Sequence, residues 1–201
     1  LVGSEMCIRD RDKNKHIKLI YAAAETIYRL DLGHIAPSTL PYLVPALNFP
    51  TAWKIRTDEV KVDWIPSNFE ESSLARVFIS APLAAAPILL RALPQGDALL
   101  RRRVAWLLGE LKYYPHSVLQ ALSSLLKDPE KDVSGAAAES LKRAGKAARP
   151  WLNRIMLGGD TAARLAAAMI LVEIEPQRQD AAKILREAIT KQNCIKKKVL
   201  A

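Results

Sequence analysis

The strongest constraint on this chain is one apolar spacing that recurs along it. A helix places side chains at offsets 0, 3, 4, 7, 8 and 11 on a single face. Ala163, Ala166, Ala167, Ile170, Leu171 and Ile174 satisfy that template completely. Val133, Ala136, Ala137, Ser140, Leu141 and Ala144 satisfy it with one small polar member, and Leu100, Arg103, Val104, Leu107, Leu108 and Leu111 depart only at Arg103. Upstream, Leu19, Ala22, Ala23, Thr26, Ile27 and Leu30 fit with Thr26 as the soft member, while Leu74, Val77, Phe78 and Ala81 begin a match that Pro82 ends. A second, shorter register with offsets 0, 3, 4 and 7 lies between these: Leu40, Leu43, Val44, Leu47; Ala86, Leu89, Leu90, Leu93; Val118, Ala121, Leu122, Leu125; Ala148, Trp151, Leu152, Ile155; Ala181, Ile184, Leu185, Ala188. The longer registers start at 19, 74, 100, 133 and 163, so the intervals are 55, 26, 33 and 30. Two helix types alternating near every thirty residues predict an all-α chain of about five helical hairpins. Each hairpin then buries its face against its neighbours, and no single central core forms.

The punctuation agrees with this count. Gly33 and Gly145 fall just past long-register helices, where a left-handed C-terminal residue is wanted, and Pro115 and Pro176 follow others. Gly96-Asp97, Lys127-Asp128-Pro129 and Gly158-Gly159-Asp160 precede the next long helix, where aspartate caps free N–H groups. Alanine runs at 136–138 and 166–168 give small contact stripes that let helices approach closely.

With these residues in view the chain resembles the HEAT-repeat family, particularly its short bacterial-style HEAT-like units. The resemblance rests on Asp132-Val133-Ser134-Gly135-Ala136-Ala137-Ala138 with Leu141, on Asp160-Thr161-Ala162-Ala163-Arg164 with Ala166-Ala167-Ala168 and Leu171, and on Asp97 through Gly109 with Arg101. It implies a right-handed α-solenoid. It also implies a stacked ladder of Asp and Arg side chains, to which Asp97, Arg101, Asp132, Asp160 and Arg164 correspond, with Ser134 interrupting it.

The long first interval holds an insertion at 49–69, where Ala52-Trp53-Lys54-Ile55-Arg56 and Val60-Lys61-Val62-Asp63-Trp64 alternate in polarity. That pattern fits a β-hairpin turning near Thr57-Asp58-Glu59, although no glycine stands at the turn; an irregular loop or a degenerate repeat fits as well. Trp53 and Trp64 are candidate binding residues of this insertion.

Enzymatic chemistry finds little support. His16, His34 and His116 are followed by Ile17, Ile35 and Ser117, so the His-Glu dipeptides that HEAT-like di-iron enzymes share are missing. The two cysteines, Cys7 and Cys194, have no zinc-site spacing, and no phosphate loop or nucleophile elbow occurs. The expectation is no metal and no cofactor. Asp58-Glu59 and Glu70-Glu71 are adjacent, hence on diverging faces, and read as helix-start or turn charges. A HEAT-like DNA glycosylase is the enzyme alternative, with Trp106 and Trp151 as its tryptophans, but the acid that family pairs with its aromatics has no match here. A relative of the phycobilin lyases that carry such repeats is a further alternative.

The net charge of +9 is unevenly placed: 101–201 carries 19 basic and 10 acidic residues, and 1–100 carries 11 of each. Nucleic-acid or polyanion binding by the basic C-terminal half is therefore the second functional reading. The first is a non-catalytic protein-binding or scaffold module. In repeat proteins of this kind the long helices usually line a concave surface, to which offsets 2, 6 and 9 would point. Those positions include Tyr21, Glu25 and Tyr28; Arg102, Trp106 and Gly109; Gly135, Glu139 and Lys142; Leu165, Met169 and Val172. Tyr21, Tyr28, Arg102, Trp106, Lys142 and Met169 are the candidate contacts for a protein or peptide partner, being of types enriched at binding hot spots and adaptable interfaces.

The expected organisation is a lead at 1–11, a first repeat at 12–48, the insertion at 49–69, repeats two to five at 70–190 and a basic tail at 191–201. Residues 2–11 resemble translated sequencing-adaptor sequence, and the chain is expected to be part of a longer polypeptide. No membrane span is expected, because the longest uncharged stretches, 32–53 and 77–90, are broken by prolines. Nothing in the sequence fixes a location, the cytoplasm being the default.

Overall fold

The computed structural model describes residues 16–17, 19–30, 36–48, 69, 72–158 and 160–199, the backbone alone for 36 and 191–199. Every regular element among them is helical. The lead at 1–11, Gly33, Trp53, Trp64 and the rest of the insertion up to 68 lie outside the described residues. The helices are α1 (residues 19–29), α2 (Ala36–Leu43), α3 (Ser73–Ser80), α4 (Pro82–Ala92), α5 (Ala98–Glu110), α6 (His116–Leu125), α7 (Lys131–Ala144), α8 (Arg149–Gly158), α9 (Thr161–Ile174) and α10 (Gln179–Val199). The chain divides into two compact units, Leu1–Leu107 and Leu108–Ala201.

Local chemistry sets the helix ends. Ser72 caps α3: its Oγ accepts from the Ala75 N–H at 3.2 Å and donates to the Phe69 carbonyl at 2.6 Å. Pro82 cannot continue α3, since it lacks an N–H, and instead starts α4 at a bend of 116°. Asp97 Oδ1 accepts from Leu100 N–H at 2.9 Å and Asp160 Oδ1 from Ala163 N–H at 2.8 Å, so α5 and α9 begin on aspartate caps. Gly145 ends α7 at φ +57°, its N–H bonded to the carbonyls of Leu141 and Lys142, a backbone state that a Cβ disfavours.

In the first unit α2 packs on α3 and α4, with Leu40, Leu47, Leu74, Phe78 and Leu89 fully buried. In the second, α6 lies beside α8 and α7 beside α9; α6 also packs on α7, α8 on α9, and α10 covers α9. Leu122, Leu141, Leu152 and Leu171 form the core of this unit. Each such side chain contributes about 1.5–3 kcal/mol by leaving water. The stripes predicted for α5, α7, α9 and the short helices are the faces that face inward, with Val104, Leu108, Val133, Ala137, Ala163 and Ala167 all at 0% exposure.

α1 departs from the sequence reading. Leu19 is 67% and Leu30 62% exposed, and Ala22, Ala23 and Thr26 also face solvent. The helix instead buries Ala24 and half-buries Tyr21 and Glu25. Polar partners decide the rotation: the Tyr21 hydroxyl lies 3.5 Å from the Ala46 carbonyl, Glu25 accepts from the Ser73 hydroxyl, and Tyr28 accepts from Arg76.

Candidate protein-binding surfaces

Arg103, the one misfit in the α5 stripe, occupies its buried face at 5% exposure. Its guanidinium donates to the Leu47 carbonyl at 2.8 Å and lies 4.6 Å from the centre of the Phe69 ring. Phe69 meets Trp106 edge to face at 5.9 Å. The charge is thus kept inside by a carbonyl at the end of the turn Val44–Asn48 and by an aromatic face. Burial lowers the Arg103 pKa and raises that of Tyr21, with the positive charge of Arg103 acting to lower the latter. No apolar periodicity could reveal this role, because a buried arginine is recognisable only from its acceptor.

The first unit contains four of the six candidate contacts. Tyr28 is 44% exposed, with the Arg76 guanidinium 5.1 Å above its ring, and Arg102 is exposed. Trp106 is half-buried on Phe69 and Tyr21 half-buried near Ala46. Glu25 completes this group, its carboxyl pKa lowered first by the Ser73 hydroxyl and then by Arg29.

The second unit holds Lys142 and Met169. Met169 is 56% exposed on α9, between half-buried Leu165 and Val172. On the adjacent α7, Gly135 and Glu139 are exposed and a side chain at Gly135 would meet open space. Lys142 pairs with Glu173 across the two helices, and this partner raises its pKa. Gly109 does not join this surface: it is buried, and a Cβ there would lie 2.9 Å from the Cα of Ser140.

The residues matched to an Asp and Arg ladder act first as local caps. Arg101 donates to the Gly96 carbonyl at 3.0 Å, and Arg164 to the Met156 carbonyl at 3.1 Å. At the start of α7 the position equivalent to Asp97 and Asp160 is held by Glu130, and Asp132 lies inside the first turn.

Four cations of the second unit are held by carboxylates: Lys142 by Glu173, Arg143 by Glu110 at 2.9 Å, Arg149 by Glu175, and Arg178 by Glu175 and Asp180. His116 is exposed and its ring meets Trp151 edge to face at 4.6 Å. Among the described residues no group of three His, Cys, Asp or Glu side chains is placed to hold a metal ion, and no single helix is long and apolar enough to cross a membrane.

Residues 86–169, from α4 into α9, match the family model for HEAT repeats. The chain carries HEAT repeats. Neither the curated proteins nor the solved structures contain a match to it. HEAT repeats in general mediate protein interaction or scaffolding, and the paired layers α6/α8 and α7/α9 are the stacked hairpins of such a repeat array.

Proposed function

We propose that this HEAT-repeat chain is a non-catalytic protein-binding or scaffold module. The observation that carries the reading is the α7/α9 surface of the second unit, where Met169 stands 56% exposed on α9 and Gly135 lies open on α7. A flexible, exposed thioether gives a surface that adapts to a partner. Lys142 and Glu173 border it with a charge pair that fixes orientation more than affinity. In the first unit, Tyr28 with Arg76 and Arg102 are contacts of the same chemical type.

The partner on this reading is another protein or peptide segment. Two exposed substitutions test it without touching the core, Met169→Glu in the second unit and Tyr28→Ala in the first. The immobilised full chain should capture partners that at least one variant loses. If both variants retain every captured partner at unchanged yield, the reading fails.

A further inference from the structure

Distinct from the α7/α9 surface, a groove of about 390 Å³ runs between α6 and α8. It is lined by Gln120, Ser123 and Ser124 with Lys127 on one side and by Trp151, Arg154, Ile155 and Gly158 on the other. Three properties set it apart. Lys127 and Arg154 are exposed cations without a carboxylate partner among the described residues, whereas Lys142, Arg143, Arg149 and Arg178 are paired. Ser123 closes the groove's floor at 6% exposure, its Oγ shut off from solvent and without a hydrogen-bond partner among the described residues. Trp151 and Ile155 supply an apolar wall, and His116 holds the Trp151 ring edge to face.

The groove presents an entering ligand with the ammonium of Lys127, the guanidinium of Arg154 and the amide of Gln120. Those donors suit a carboxylate, and the Trp151–Ile155 wall suits an aliphatic neighbour of that carboxylate. A bare phosphate or a nucleic-acid backbone would use the cations and leave the apolar wall unmatched. We propose that the α6/α8 groove is a recognition site for an acidic peptide segment, a Glu or Asp side chain taking Lys127 and Arg154 while an adjacent aliphatic residue lies on Trp151 and Ile155.

The proposal is independent of the α7/α9 surface, and Met169→Glu leaves it unchanged. The probe is a synthetic blocked peptide, Glu-Asp-Leu-Glu-Asp, titrated into the full ¹⁵N-labelled chain. The Trp151 indole cross-peak, assigned with Trp151→Phe, should shift on saturation. Lys127→Ala and Arg154→Ala should each weaken binding about fivefold to tenfold, in keeping with the loss of one charge-assisted hydrogen bond. The Gln-Asn-Leu-Gln-Asn peptide, inorganic phosphate and a single-stranded oligonucleotide are the comparison probes, each expected to bind at least tenfold more weakly. No shift of the Trp151 peak with the acidic peptide overturns the proposal. So does equal binding of the neutral peptide, or of phosphate or oligonucleotide, or indifference to both cation variants.

Discussion

Gly109 and Gly135 both lie inside helices, yet the same substitution should act on them with opposite sign. A Cβ at Gly109 would stand 2.4 Å from Ser140 Oγ, 2.7 Å from Ser140 Cβ and 2.9 Å from Ser140 Cα. The first two atoms belong to a short side chain and the third to the backbone of α7, so rotamer change alone cannot relieve the contact. The end of α5 and α7 must separate by roughly half an ångström to reach ordinary contact. Overpacking of this kind costs about 1–3 kcal/mol. Alanine recovers at most about 1 kcal/mol of helix propensity, and less near a helix end. Gly109→Ala should therefore destabilise by about 1–2 kcal/mol. At Gly135 nothing lies within 4 Å of the added carbon, so Gly135→Ala should stabilise by about 0.5–1 kcal/mol. For a chain of this size the melting temperature should fall by about 2–8 °C in the first variant and rise by about 1–4 °C in the second. Thermal and urea unfolding followed by circular dichroism measure both, and Ser140→Gly in the Gly109→Ala background should restore part of the loss. Two variants stabilised alike would refute the close approach of α5 to α7.

Lys112, the only non-glycine at positive φ among the described residues, sits at φ +50° just past α5; Lys112→Gly should raise stability by about 0.5–1 kcal/mol in the same unfolding assays. Arg103→Met should leave the Leu47 carbonyl without its buried donor and cost about 1–3 kcal/mol, which urea unfolding would register as a lower midpoint. Asp160→Ala removes the α9 cap and should cost about 1 kcal/mol by thermal unfolding. Asp180 accepts two bonds from Arg178, at 2.8 and 2.9 Å, and its pKa is lowered to about 2. A depressed carboxyl pKa gives stability that is present above the unfolded value near 4 and lost as pH falls through about 2. The Asp180 carboxyl carbon should accordingly titrate near pH 2 by NMR, and Asp180→Asn should flatten the stability profile between about pH 4 and pH 2.

Periodicity alone was enough to define the all-α class and the inward faces of α5, α7 and α9. A helix 3.6 residues per turn turns spacing directly into a face, and Val104, Val133 and Ala163 are buried as their offsets require. Capping was legible for the same local reason: Asp97, Asp160 and Gly145 act within one turn of their own position. Contacts between distant segments were not legible. Arg103 reads as a flaw in an apolar stripe until Leu47 and Phe69 are beside it, and Gly109 reads as a surface position until Ser140 meets it. The α1 stripe had the spacing of a core face, but Glu25 and Tyr28 found Ser73 and Arg76, and the helix turned toward them. The α6/α8 groove joins residues some thirty positions apart, none of which forms a motif with its neighbours. The sequence thus determined which helices form and where they begin and end, because those are properties of one turn at a time. Which polar groups meet across helices, and which hydroxyl is left without a partner, was decided only by packing.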